Sequence, residues 1–505
     1  MTSGFRPNDA MGSRRGYWKA VLLLVAAVLP LLAIVLGVVP PGFGLISAGT
    51  LVSWLLWRIR GHAASLLLVF LTVALAGTII GQPWLNLKES DLAADDGGAR
   101  ADLWAASGRF DERLPVVLHL VFDELISSGG IDPTLPGGPE TVLAMKQVAS
   151  TQGLRLYDSV YSRFYYSGVS IPNMMHAEYL GHFALGDVNR AIASPGRDTA
   201  YFADMERRGY RTAVFETTVI TFCGARNVTW CETFPSYDPG VVSGAGLDER
   251  TRSVYLWDSL LRAYEPGYLP ALGRWVLRYF YGLDQRELGV LGAADRFDVQ
   301  GFPAWFDRFA SFVSRVPRGS HVFAHFLVPH SPYLLTDACV VSGEFDSGYR
   351  LNERLEGNEA REGARRVYYQ QYLAQARCVM SKLDSFLSEI RSDPELQDAL
   401  VVIHGDHGSR ISAGAFVEEV APRDLVDNHA AFFAVRGPGI DPGLDCGFTS
   451  LSQIFRRTMK AGDTQSEQSP PLPLLVNSQA GADVLVEMKM PVFGCAASGQ
   501  DSKTP

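Results

Sequence analysis

Leu400-Val401-Val402-Ile403-His404-Gly405-Asp406-His407-Gly408 decides the fold: an apolar run of strand length stops at an acid and a histidine set between two glycines. A strand without polar alternation is buried on both faces, as in a parallel sheet covered by helices. Glycines let the backbone turn sharply and approach closely, so Asp406 and His407 can both face one divalent cation at the strand's carboxyl end. By itself the segment also reads as a polar turn with a capping aspartate.

Working outward, apolar runs of strand length recur at residues 116–122, 211–215, 321–327 and 431–435, and segments of helical character lie at 140–152, 199–208, 253–264, 304–316 and 366–390. This alternation predicts an α/β domain, a doubly wound, mostly parallel sheet with helices on both faces. Ligands of such a sheet sit beyond the carboxyl ends of its strands.

Those ends carry the chemistry. Asp123-Glu124 follows residues 116–122 directly, Pro329-His330-Ser331-Pro332-Tyr333 follows 321–327, and Asp427-Asn428-His429 precedes 431–435. Neutral imidazoles are ligands for zinc-like metals and hydrogen-bond phosphate oxygens. Singly, an acid after a strand is also a helix cap, and a lone histidine is more often structural. Ser167-Gly168-Val169-Ser170-Ile171-Pro172-Asn173-Met174 offers hydroxyls ahead of a helix expected over residues 173–180, where free N–H groups and the helix dipole favour a phosphate. Asn173 and His176 lie close enough to that turn to touch a substrate. His119 and His404 lie inside apolar strands and read as core, and the charge-alternating residues 353–366 read as a solvated helix face.

In order and spacing, these pieces resemble the alkaline phosphatase superfamily over roughly residues 114–439. The resemblance is to its sulfatase-like branch of membrane-anchored phosphoethanolamine and phosphoglycerol transferases, which includes lipoteichoic acid synthases. It implies that Asp123, Asp406, His407 and a serine nucleophile hold a metal. It implies further that His429 and His330 serve a second metal or the substrate phosphate; Asn173 is placed on the substrate side by its closeness to the serine turn. One or two divalent ions (Zn2+, Mn2+, Mg2+ or Ca2+) would lower the pKa of the serine hydroxyl for in-line attack on phosphorus. Relatives with Thr-x-x-Ser-Val-Pro use the residue matching Ser167 and those with Thr-x-Pro-Asn the residue matching Ser170; this sequence satisfies both patterns. Formylglycine sulfatases need arginine where Met174 stands, which disfavours that chemistry. The implied activity moves a phosphoethanolamine or phosphoglycerol head group from a phospholipid donor to a glycan or lipid acceptor through a phosphoserine. A membrane-tethered phosphodiesterase or sulfatase-like hydrolase is the alternative, and an inactive envelope assembly or binding protein the second alternative.

The chain of 505 residues is 47% hydrophobic and 20% charged, but its apolar content is concentrated in three nearly uncharged runs, 20–39, 43–57 and 63–80. A bilayer core of about 30 Å needs about 20 helical residues, which the first and third runs supply and the second reaches with its flanks. Three successive runs argue for anchors rather than a removed leader. Arg6, Arg14, Arg15 and Lys19 before the first run, and Arg58, Arg60 and His62 between the second and third, belong on the cytoplasmic side. Everything after the third run then lies outside the cytoplasm, which in a bacterium means the periplasm or the cell surface. The expected division is a membrane anchor over 1–84, a tether over 85–113, a catalytic domain over 114–497 and a tail over 498–505. All six cysteines follow the spans, in a compartment where disulfides persist. Pairing in sequence order predicts Cys223–Cys231, Cys339–Cys378 and Cys446–Cys495, with free core thiols as the alternative. A net charge of -9 and the lack of a Lys/Arg-rich block in the soluble part argue against nucleic acid as a partner.

Overall fold

All five apolar runs become strands of one eight-stranded sheet in a computed structural model of the chain. The structure describes residues 97–176, 178–179, 199–217, 220, 222–234, 292–342, 358–411, 422–460, 472–477 and 483–488. The chain divides into two units, Met1–Lys88 and Glu89–Pro505, and all described residues lie in the second. The three expected membrane spans therefore lie outside the described residues, among which no helix is long and apolar enough to cross a membrane.

In chain order the elements are α1 (Gly97–Ala106), β1 (Val117–Phe122), α2 (Gly138–Thr151), β2 (Arg155–Tyr157), β3 (Val160–Tyr161), α3 (Ser167–Met175) and α4 (Ala200–Arg207). They continue with β4 (Arg211–Thr217), β5 (Val228–Phe234), α5 (Gly292–Val313), β6 (Ser320–Phe326), α6 (Asn358–Ser392) and β7 (Leu400–Gly405). Then come α7 (Pro422–His429), β8 (Phe433–Arg436), β9 (Gly443–Asp445), β10 (Thr449–Ser450) and α8 (Leu451–Met459), followed by two strands, Leu472–Asn477 and Asp483–Met488. Strands run in the order β5-β4-β6-β1-β7-β8-β2-β9. Among the described strands of this sheet, only β8 runs against the rest. It leaves α7 at the end of the sheet where β7 finishes, so Gly405-Asp406-His407 and Asp427-Asn428-His429 come to the same end.

Side-chain alternation along β1 explains why both faces are covered. Leu118, Leu120 and Phe122 pack into one core with Trp104, Met145, Phe306 and Tyr372 of α1, α2, α5 and α6. Val117 and Val121 enter the other, with Ile171, Met174, Tyr201 and Phe455 of α3, α4 and α8. Where polar caps start these helices they do so through short side chains: Thr199 Oγ1 accepts from Phe202 N at 3.0 Å, and Ser450 Oγ from Gln453 N at 3.2 Å.

Several expectations are corrected. Within the expected tether, residues 97–106 form α1, and Trp104 and Ala101 are fully buried in the core. Helix α3 begins at Ser167 rather than at 173, which puts Pro172 inside it. The missing N–H of Pro172 costs one helical hydrogen bond, and the burial of Ile171, Met174 and Met175 against the sheet outweighs it. In the segment read as a solvated face, Arg365 is buried and stacks its guanidinium 4.9 Å from the Tyr369 ring centroid. Leu472–Asn477, with Pro473 in it, forms a strand paired antiparallel with Asp483–Met488. The expected helix 253–264 lies outside the described residues.

Two predicted disulfides are present, Cys223–Cys231 and Cys339–Cys378. Cys446 is disulfide-bonded as well, and its expected partner, Cys495, lies outside the described residues.

Candidate metal centre

Asp123 leaves β1 with its amide bonded to Phe326 O at 2.9 Å, which continues the sheet for one more residue and aims the carboxylate off its edge. Glu124 then turns at φ 63, a left-handed conformation that strains a non-glycine residue. The turn is held from α6. Tyr372 Oη donates to Glu124 O at 2.6 Å and accepts from Ile126 N at 3.0 Å.

On β7 the two glycines are required by close approach. A Cβ on Gly405 would stand 2.1 Å from Leu125 O, and one on Gly408 1.9 Å from Asp427 O. Between them Asp406 Oδ1 accepts from the amides of Glu124 and His407, each at 3.0 Å, which locks that carboxylate to both strand ends. His407 Nδ1 lies 2.9 Å from Gly408 O. A carbonyl can only accept, so Nδ1 carries the proton and Nε2 presents a lone pair. That lone pair faces Asp406 Oδ2 at 3.2 Å and Asp123 Oδ1 at 3.8 Å.

Acceptors facing one another in a dry site repel unless something positive lies between them. Asp123, Asp406 and His407 are all buried, and their ligand atoms lie within 4.8 Å of one another. Asp123 Oδ1 and Asp406 Oδ2 have no hydrogen-bond partner, and neither has His325 Nε2, which stands 3.5 Å from Asp123 Oδ2. A divalent cation fits this donor set of two carboxylates and an imidazole. Electrostatics agree. Burial opposes ionisation of Asp123, yet His330, His325 and His407 around it hold its carboxyl well below the ordinary range. Burial first, and then the Asp123 charge, pushes Asp406 up. Burial and the Arg410 charge bring His407 down to about 4, so its imidazole is neutral and competent to ligate.

The structure separates the two serines. Ser167 Oγ donates to Asp123 Oδ2 at 2.9 Å and lies 3.1 Å from His407 Nε2. It is the first residue of α3, a helix without a side-chain cap. Ser170, one turn on, gives its hydroxyl to the Asp406 carbonyl at 2.6 Å and sits 2.9 Å from Ser162 Oγ, so it braces the backbone behind the cluster. Asn173 donates from Nδ2 to Val169 O at 2.9 Å within its own helix. Among the described residues His429 joins no ligand group: its Nδ1 lies 3.0 Å from Ser162 O. His176 is exposed at the end of α3, with Nδ1 accepting from Ala200 N at 3.3 Å.

His330 stands beside the cluster in a second group with Asp123 and Glu124, its Nε2 3.7 Å from Glu124 Oε1. Its loop is pinned by Gln375 of α6, which accepts from Leu334 N and Leu335 N at 2.9 and 3.0 Å and donates to Pro329 O and His330 O at 3.1 and 2.9 Å. A third group, Glu216 with Cys223 and Cys231, is not a metal site, because the two sulfurs are bonded to each other.

Sequence reasoning missed His325, Arg410, Tyr372 and Gln375. For His325 the signal was parity: it lies four residues after His321 on β6, paired with Val121 just before Asp123. Tyr372 and Gln375 are polar positions in a helix, and nothing local distinguishes them.

No protein-family model and no curated protein matches the chain. Among solved structures it is similar to the C-terminal periplasmic domain of EptC from Escherichia coli, with 12% identity, 77% of this chain and 97% of that chain covered, and a TM-score of 0.42. A phosphonate monoester hydrolase from Silicibacter pomeroyi shares 16% identity over 68% of this chain and 72% of its own, with a TM-score of 0.38. A protein of the alkaline phosphatase superfamily from Vibrio parahaemolyticus shares 12% identity over 69% of this chain and 65% of its own, with a TM-score of 0.36.

Proposed function

We propose that the protein is a metal-dependent phosphotransferase that takes a phospho-head-group from a phospholipid onto Ser167 and passes it to a glycan or lipid hydroxyl. The observation that carries this reading is the placement of one serine hydroxyl against a buried acceptor cluster: Ser167 Oγ lies 2.9 Å from Asp123 Oδ2 and 3.1 Å from His407 Nε2. A divalent ion held by Asp123, Asp406 and His407 would supply the positive charge that makes the hydroxyl acidic and offsets charge on phosphorus-bound oxygens.

This chain's residues do the rest. Asp123 accepts the hydroxyl hydrogen and so orients the serine lone pairs toward the substrate. Ser167 Oγ bonds to phosphorus as the donor's alcohol oxygen leaves, giving a phosphoserine. His330, part-buried at the rim of the cluster, protonates the departing oxygen. In the second half the acceptor hydroxyl gives its proton to His330 and attacks the same phosphorus, while Ser167 leaves and takes its proton back from Asp123. With water as acceptor the same residues perform phosphodiester hydrolysis. In this reading residues 1–84 anchor the chain in a bacterial inner membrane, near its donor, and the domain faces the periplasm; the disulfides support an oxidising compartment.

The test is mass spectrometry of the full-length chain, loaded with Zn2+ or Mn2+ and incubated with phosphatidylethanolamine or phosphatidylglycerol. Wild type and Ser170→Ala are expected to gain a head-group mass on Ser167, and Ser167→Ala to gain none. Metal-loaded wild type without adduct and without turnover of either lipid would favour the binding-protein alternative.

A further inference from the structure

Arg410 sits at the edge of the metal cluster in a conformation few residues adopt. Its φ is 53, and its amide is held by Asp427 O at 3.3 Å. The strained turn sends the guanidinium back across the site to Glu124. There Nε donates to Glu124 Oε1 at 2.8 Å, and Nη2 donates to the same oxygen. One carboxylate oxygen thus takes two donors, while Glu124 Oε2 is buried without a hydrogen-bond partner. Glu124 is only 3% exposed at its side chain and Arg410 30%, so the cation keeps one edge toward solvent.

Charge decides what this pair means for the second ligand group. Asp123, Asp406 and Glu124 bring three carboxylates and Arg410 one positive charge. One divalent ion neutralises the remaining two negative charges. A second ion in the Asp123, Glu124 and His330 group would leave the buried cluster doubly positive and would have to displace Arg410 from Glu124.

We infer that Arg410, and not a second metal ion, is the positive charge that completes the Asp123, Glu124 and His330 group, and that its outward donors bind a non-bridging oxygen of the substrate phosphate. The inference rests on the phosphotransferase reading and says which chemistry recognises the phosphate. A planar fork suits this task, because it can hold Glu124 with one edge and an anion with the other.

Ion counting on the full-length chain, dialysed against Zn2+ or Mn2+, tests it without turnover. Wild type is expected to hold one ion per chain, Arg410→Gln two, and Arg410→Lys one. Inorganic phosphate, titrated calorimetrically into the metal-loaded proteins, is expected to bind about 10-fold more weakly to Arg410→Gln than to wild type. Two ions in wild type would overturn the inference and leave the phosphotransferase reading standing. An Arg410→Gln protein that still holds one ion and binds phosphate as wild type does would overturn it equally. No bound ion in wild type would sink the underlying reading as well. The wild-type count and Arg410→Lys keep the test decisive if Arg410→Gln fails to fold.

Discussion

Strands β1, β6 and β7 supply a core set of histidines, His119, His321 and His404, whose rings meet one another, aromatic rings and hydroxyls, and the carboxyl ends supply a second set, His325 and His407, beside the carboxylates; the two sets behave differently. In the core set, His119 Nε2 meets His404 Nε2 at 2.7 Å, and His404 Nδ1 lies 2.8 Å from Gly405 O. His404 must therefore carry its proton on Nδ1, and His119 donates the shared one. His321 sits between Tyr201 Oη at 2.8 Å and Thr212 Oγ1 at 3.1 Å. At the strand ends His407 and His325 face carboxylates instead. Burial does not tell the sets apart, since His119, His321, His404 and His407 are all at 0% exposure and His325 at 1%. Completeness of hydrogen bonding does: His119 Nδ1 alone is left over in the core set, against Asp123 Oδ1, Asp406 Oδ2 and His325 Nε2 at the strand ends.

The sharpest way to break this contrast is to lose one histidine from each set on the same strand. His407→Gln is expected to lower turnover about 10³-fold or more and to weaken metal binding, since it removes a proposed ligand beside the proposed nucleophile. His404→Gln, three residues earlier, is expected to keep turnover within about 10-fold. Steady-state rates and bound metal measured on both variants check this, and equal losses would erase the distinction.

A smaller effect concerns pH and includes the core set, as it does His407 and His429. Burial, the largest cause, lowers His404 to about 4 and His321 to about 3, and brings His119 well below its ordinary value. Unfolded histidine titrates near about 6.5. Below that pH the unfolded chain binds protons that the folded chain refuses, so stability is full above about 6.5 and falls as pH drops toward 4. The expected slope is about 1.4 kcal/mol per pH unit for each such histidine. Urea unfolding of metal-free protein at pH 7, 6 and 5 measures it, and His404→Gln should flatten the curve by one histidine's share. A wild-type stability that is level over this range would contradict the assignment.

Smallest is the effect of a group that only positions the end set. Tyr372→Phe removes the hydroxyl bonded to Glu124 O and Ile126 N, at an expected cost of about 1–3 kcal/mol in thermal unfolding. Metal affinity should fall less than in His407→Gln. A Tyr372→Phe protein with unchanged stability and metal affinity would show that the Glu124 turn holds itself.

Much of this was legible in the sequence because strand ends write chemistry into short, contiguous segments. Val117–Phe122 with Asp123, and Leu400–Gly405 with Asp406 and His407, could each be read without knowing the partner strand. The rule that placed His119 and His404 in the core would also have placed His325 there, because a strand's last turn toward solvent is set by its neighbours and not by its own residues. Ser167 and Ser170 were equivalent in sequence and became distinct only when α3 docked and turned Ser170 onto the Asp406 carbonyl. The short strands β2, β9 and β10 carry too few residues for a periodic signal, and Arg410 reads as an ordinary turn residue until its partner, 286 positions away, is known.

Tyr372, Gln375 and Cys378 recur every three residues along α6, and through them one helix face grips the Glu124 turn, the His330 loop and the Cys339 segment. The amides of Ile126, Leu334 and Leu335 all end on side chains of that face. Two loops far apart in sequence therefore cannot breathe separately. Their backbone hydrogens belong to a single cooperative opening unit, and the ligand groups they carry come apart together or not at all.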